Sequence, residues 1–89
     1  MTGWRVVFTP DAETDFQKLD KQMRLRIKNR LAWLQANFEK FTPTPLHGEW
    51  KDYFKLRIGG WRVIYKLDWD NNLIIIYVID RRDKIYKKN

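Results

Sequence analysis

The chain has 89 residues and a mass of 11.0 kDa, room for one compact domain over residues 1–89 and none for a second. Apolar residues at 44% and aromatics at 16% exclude disorder as the main state. The lack of cysteine excludes a disulfide scaffold, a thiolate metal site and a Cys nucleophile. A single histidine, His47, excludes any mechanism that needs two imidazoles, and a net charge of +7 points to a polyanion or an acidic protein as partner.

In chain order, Trp4–Phe8 (WRVVF) reads as a short strand ended by Thr9-Pro10. Pro10 suits a first helical turn, with Thr9 as N-cap and Asp11 and Glu13 near the positive end of the helix dipole. Ala12, Phe16 and Leu19 follow at helical spacing. Asp20 reads as a second N-cap, opening a longer helix from about Lys21 to Phe38 with Met23, Ile27, Leu31, Leu34 and Phe38 as its apolar stripe. Outside that stripe Lys21, Arg24, Arg26, Lys28 and Arg30 are all basic. This face has three readings: contact with a polyanion, docking of an acidic partner segment, or plain solvation. Trp33 reads as a packing or partner-contact residue.

Phe41–Gly48, with two prolines, reads as a loop, and His47 within it as a turn residue. Three strands follow, Asp52–Ile58, Trp61–Leu67 and Leu73–Arg81, as an antiparallel meander. Leu73–Ile79 is almost continuously apolar, as expected of a central strand covered on both faces. At seven residues it is far below the ~20 that a spanning helix needs. The N-terminus shows no secretory pattern, so the expectation is a soluble, cytoplasmic protein with no membrane partner. The fold class is α+β: a short strand, two helices, then three strands packed against the helices.

The densest signal is the hairpin around Gly59-Gly60, a two-residue turn signal between alternating strands. That turn sets Arg57 opposite Arg62, Lys55 opposite Ile64, and Tyr53 opposite Lys66. Phe54, Leu56, Ile58, Trp61, Val63 and Tyr65 then form a core face. Tyr53, Lys55, Arg57, Arg62, Ile64 and Lys66 form the other face. Two arginines directly opposite repel one another by ~0.2–1 kcal/mol. Clustered cations with only Asp52 nearby therefore point to a face that binds phosphate. The basic end of the chain, from Asp80 through Arg81, Arg82, Lys84 and Tyr86, could stack a base and clamp a phosphate, although on these residues alone a frayed basic tail is the better reading.

The element order, together with PLHGEW (Pro45–Trp50), YFKLRIGGWRVIY (Tyr53–Tyr65) and VIDRRDKIY (Val78–Tyr86), resembles the RelE/ParE superfamily of type II toxins over essentially the whole chain. The RelE branch implies the RelE-like fold and a ribosome-dependent endoribonuclease that cuts mRNA, with no metal or cofactor. It also implies a monomeric toxin held inactive by a cognate antitoxin in a hetero-oligomeric complex. The ParE branch implies instead a toxin of DNA gyrase without nuclease residues. By this resemblance Lys55 matches a catalytic lysine, Arg57 and Arg62 the arginines that neutralise the scissile phosphate, and Tyr86 the C-terminal tyrosine. Arg82 or Arg81 matches the arginine after the last strand. Tyr53 stands where some members carry a second lysine. Catalysis is expected from Lys55, Arg57, Arg62, Arg82 and Tyr86. RNA contacts are expected from Arg81, Lys66, Tyr53, Lys84, Lys28 and Arg24. The chemistry implied is attack of the RNA's own 2′-OH on the adjacent phosphate.

Overall fold

The structure, a computed structural model, describes residues 3–81. Strand β1 (Arg5–Phe8) leads into helix α1 (Pro10–Gln17) and helix α2 (Lys21–Asn37). After a short loop come β2 (Thr44–Pro45), β3 (Phe54–Ile58), β4 (Trp61–Asp68) and β5 (Leu73–Arg81). Both helices begin where the sequence places them. The Thr9 hydroxyl accepts from the Ala12 amide at 3.1 Å, and the Asp20 carboxylate from the Met23 amide at 2.8 Å. Each such cap contributes about 1 kcal/mol.

The strands form one sheet in the order β1-β5-β4-β3-β2. The last three are the expected antiparallel meander, and β1 joins β5 in parallel, with Arg5 opposite Leu73. The helices pack on one face. Ile27, Leu31, Leu34 and Phe38 meet Leu56, Ile58, Val63, Tyr65, Ile74, Ile76 and Ile79, with Trp4, Ala12 and Leu19 closing the cluster. Burying each large apolar side chain contributes ~1.5–3 kcal/mol, so the stripe of α2 is what fixes that helix to the sheet.

Several boundaries differ from the sequence reading. Trp4 precedes β1, and its ring lies 4.7 Å from that of Phe38 in the core. The segment read as a loop contains the two-residue strand β2, whose Pro45 is tolerated because β2 is the sheet edge. Asp52 and Tyr53 fall before β3, because a 3-10 turn at Gly48–Trp50 carries the chain around and the Tyr53 amide donates to the Trp50 carbonyl at 2.9 Å. Gly48 has a φ of 69°, which accounts for a glycine there by backbone need alone. Strand β5 lies between β1 and β4 as expected, but only its helix-side residues Ile74, Ile76 and Ile79 are buried, while Ile75, Tyr77 and Val78 are half-buried.

One irregularity matters for the site. Along β4 and β5, Tyr65 pairs with Ile76 but Ile64 pairs with Val78, so Tyr77 is an extra residue in β5. This bulge re-phases the strand. Beyond it Ile79 returns to the core opposite Val63, and Asp80 comes to stand opposite Arg62.

Tyr65 supplies a stability test. Its ring stacks on Phe54 with centroids 5.6 Å apart, and among the described residues its buried hydroxyl has no hydrogen-bond partner. Burial pushes its ionisation above the ordinary tyrosine range. The neutral phenol is therefore the folded form, and its stabilising effect is complete below the unfolded value of ~10 and is lost as pH rises beyond it. Tyr65→Phe removes an orphaned hydroxyl and is expected to raise stability by about 1 kcal/mol in urea denaturation at pH 7. The gain should be larger above pH ~10. A loss at pH 7 would mean that the hydroxyl is satisfied.

Candidate active site

The site begins with the turn between β3 and β4. Gly59 has a φ of 61°, a conformation open to glycine at little cost, and the chain reverses within two residues. The resulting register is Ile58 with Trp61, Arg57 with Arg62, Leu56 with Val63, Lys55 with Ile64 and Phe54 with Tyr65. Leu56, Ile58 and Val63 are buried in the helix-side core, so Lys55, Arg57 and Arg62 share the opposite face.

The members of this face differ in depth. Arg57 is exposed, Lys55 is half-buried, and Arg62 is only 1% exposed. The sequence pattern offers Asp52 as the sole acid near these cations, which needs correction. A guanidinium withdrawn from water is costly unless its charge is answered, and the register puts an acid, Asp80, on the neighbouring strand opposite Arg62, although the buried Arg62 Nε and Nη1 make no hydrogen bond among the described residues. Arg57 has no such acidic counterpart in the register, because the residue opposite it is Arg62. The face is therefore graded, with a buried arginine set against an acid at its centre and an open arginine at its margin.

Its far end is aromatic. Tyr53 packs edge-on against Tyr77 and against Trp50, each at a centroid separation of 5.2 Å, and the Lys66 ammonium lies 5.4 Å from the centroid of the Tyr53 ring. Tyr53 and Lys66 thus join Lys55, Arg57 and Arg62. The position where a second lysine was looked for instead offers a ring beside a cation.

Other expected residues do not join them. Arg81 pairs with Trp61 and holds its guanidinium 5.8 Å from that ring, one residue past Asp80 and so on the opposite side of β5. Arg24 donates to the Leu19 carbonyl at 2.6 Å, which ties off the end of the first helical segment. Lys28 lines a groove of about 390 Å³ with Val6, Phe8, Phe16 and Leu31, on the flank of α2 next to β1. The basic face of α2 is therefore two flanks, and Arg24 and Lys28 are on the one away from the hairpin. Arg26 and Arg30, which the sequence reading did not place at the site, line the flank that meets Arg57. Helical spacing from Arg26 to Asn29, Arg30 and Trp33 was the signal for that grouping. Arg82, Lys84 and Tyr86 lie outside the described residues.

The family description that matches residues 6–86 is that of the ParE toxin of type II toxin-antitoxin systems. The chain belongs to this family, within the RelE/ParE superfamily. Over 76 residues, 82% of this toxin and 83% of the relative, it is 43% identical to a Methanocaldococcus jannaschii protein named "Putative toxin RelE1". Its fold is similar to that in the RelBE2 toxin-antitoxin complex of Mycobacterium tuberculosis, with TM-score 0.79 and 24% identity, covering 91% of this chain and 100% of that one. It is similar also to the archaeal RelE-RelB complex of Pyrococcus horikoshii, with TM-score 0.69 and 27% identity over 91% and 97% of the two chains.

The depth gradient makes the two arginines of this face separable by stability. Arg57→Ala is expected to change the urea-unfolding free energy by no more than ~0.5 kcal/mol, as for most exposed sites. Arg62→Ala, which empties a fully buried side-chain position opposite Asp80, is expected to cost ~3 kcal/mol. Equal effects of the two substitutions would contradict the placement.

Proposed function

We propose that this toxin is a metal-independent endoribonuclease that cleaves mRNA on the ribosome, with the face of Lys55, Arg57 and Arg62 as its reaction site. The observation that carries this reading is the side-by-side placement of Arg57 and Arg62 on one sheet face, with Lys55 two residues along the same strand. The reaction needs no external nucleophile. The RNA 2′-oxygen attacks the adjacent phosphorus, a 2′,3′-cyclic phosphate forms, and the 5′-oxygen of the next nucleotide departs and gains a proton. In this scheme Lys55 accepts the 2′-OH proton. Arg57 binds the non-bridging oxygens as negative charge builds on them, and Arg62 adds its charge from within the sheet beneath. The proton for the leaving oxygen is assigned to Arg82 or Tyr86. Arg62, buried in the sheet opposite Asp80, serves as the fixed charge, whereas exposed Arg57 can close on the substrate. A site with so few groups gains most when another body orients the RNA, which is the role given to the ribosome.

A cognate antitoxin is the proposed protein partner, in a hetero-oligomeric complex, supported by relatives solved as RelBE2 and RelE-RelB complexes. No helix among the described residues is long and apolar enough to cross a membrane, and the proposed place of action is the cytoplasm. The ParE name of the matching family supports a second reading, a toxin of DNA gyrase.

Induced expression followed by primer extension on a translated mRNA separates the two. Codon-phased cuts are expected, and Lys55→Ala or Arg57→Ala should lower their rate by ~10²-fold or more. Intact mRNA with gyrase-dependent DNA damage would replace the nuclease with the second reading.

A further inference from the structure

We propose a second nucleotide-binding site on this toxin, in the groove between α2 and the open edge of β3, which takes one phosphate and one unpaired base of single-stranded RNA. This inference rests on the nuclease reading only for which nucleotide the groove holds, the one flanking the cut. The groove has a volume of about 480 Å³ and is lined by Arg26, Asn29, Arg30, Trp33, Arg57 and Gly59, together with Ile58. It exists because β2 pairs with β3 only at Phe54 and Lys55, so β3 from Leu56 onward is the margin of the sheet.

Three features of the groove fit RNA. Its lining holds three arginines and no acidic residue, so a phosphate entering it meets only positive charge. Trp33 is 43% exposed, and its ring carries the Arg30 guanidinium at 4.5 Å from the centroid. A guanidinium already layered on an indole is the arrangement into which a base can slide, keeping one stacking partner and gaining another. Arg26 reaches across the turn, where a Cβ at Gly59 would stand 3.0 Å from its Nη1, so the glycine that makes the hairpin also lets this arginine lie against it. A peptide segment of acidic side chains alone would satisfy the charges but leave the indole face uncovered. The observations therefore favour RNA, and Trp33, read from sequence as a packing or partner contact, is reassigned as a stacking platform.

Arg57 is the link. It belongs to the cationic face by register and to the groove by position, so an RNA strand leaving the reaction site at Arg57 passes directly into the groove. The groove would hold a nucleotide flanking the one that is cut.

The test is fluorescence anisotropy with a labelled single-stranded heptauridylate RNA on full-length toxin carrying Lys55→Ala. Trp33→Leu should weaken binding about tenfold, and Trp33→Phe should restore most of it, which excludes a mere folding defect. Arg26→Ala and Arg30→Ala should each lower the slope of log affinity against log salt by ~0.7. Unchanged affinity in Trp33→Leu, or displacement of the RNA by polyglutamate equally well from both Trp33 variants, would overturn the proposal in favour of an acidic protein partner. The two readings fail separately. If Lys55-containing toxin cuts translated mRNA but the groove variants bind RNA normally, the groove alone is refuted. If it cuts nothing while the groove variants lose binding, the nuclease reading falls and the groove stands.

Discussion

The constraint on which the rest of this structure depends is the cross-strand pairing of Arg57 with Arg62 across a two-glycine reversal. Like charges directly opposite destabilise a strand pair by a few tenths of a kcal/mol or more. Withdrawing Arg62 from water adds a larger cost unless its charge is answered. The third strand of the meander brings an acid, Asp80, to the position opposite it. The extra residue at Tyr77 shifts the phase of β5, and without that shift Asp80 would fall on the helix side of the sheet. One bulge thus turns an unfavourable pair into a set of three charges, two positive and one negative, and leaves the outer arginine with unspent charge.

The opposite face of the same strands bears the stability. A domain of this size retains only ~5–15 kcal/mol in total, so a face selected for function must be offset elsewhere. Here the offset is the layer of Leu56, Ile58, Val63, Ile74, Ile76 and Ile79 under the stripe of α2. Because side chains alternate along a strand, chemistry and packing occupy the same ten or so residues without competing for positions. Helix α2 extends this economy. Its inner stripe closes the core while its hairpin-side flank brings Arg26, Arg30 and Trp33 to the margin of the cationic face.

Much of this was legible in the sequence where local chemistry decides. Thr9 and Asp20 announced the helix starts, Gly59-Gly60 set the hairpin register, and period-two alternation separated the core face from the cationic one. What escaped depends on tertiary geometry. A bulge leaves no signature in LIIIYVI, where every residue is apolar, so the arrival of Asp80 beside Arg62 could not be read from spacing. The depth of Arg62 escaped for the same reason, since alternation assigns a side but not a degree of burial. The two flanks of α2 were merged because basic residues were grouped by composition rather than by angle around the helix. Strand β2 is too short for any periodicity, and it exists only because β3 offers an edge.

The chain contains no cysteine, which makes the central geometry directly measurable. Residues directly opposite in an antiparallel pair have Cα atoms about 4.5–5.5 Å apart, within the range a disulfide spans. A variant carrying Arg57→Cys and Arg62→Cys should close an intramolecular disulfide under mild oxidation, read by mass spectrometry. The control pair Arg57→Cys and Val63→Cys, whose side chains emerge from opposite faces, should remain reduced. Closure of the control pair in preference to the first would place the two arginines on different sides of the sheet and contradict the account.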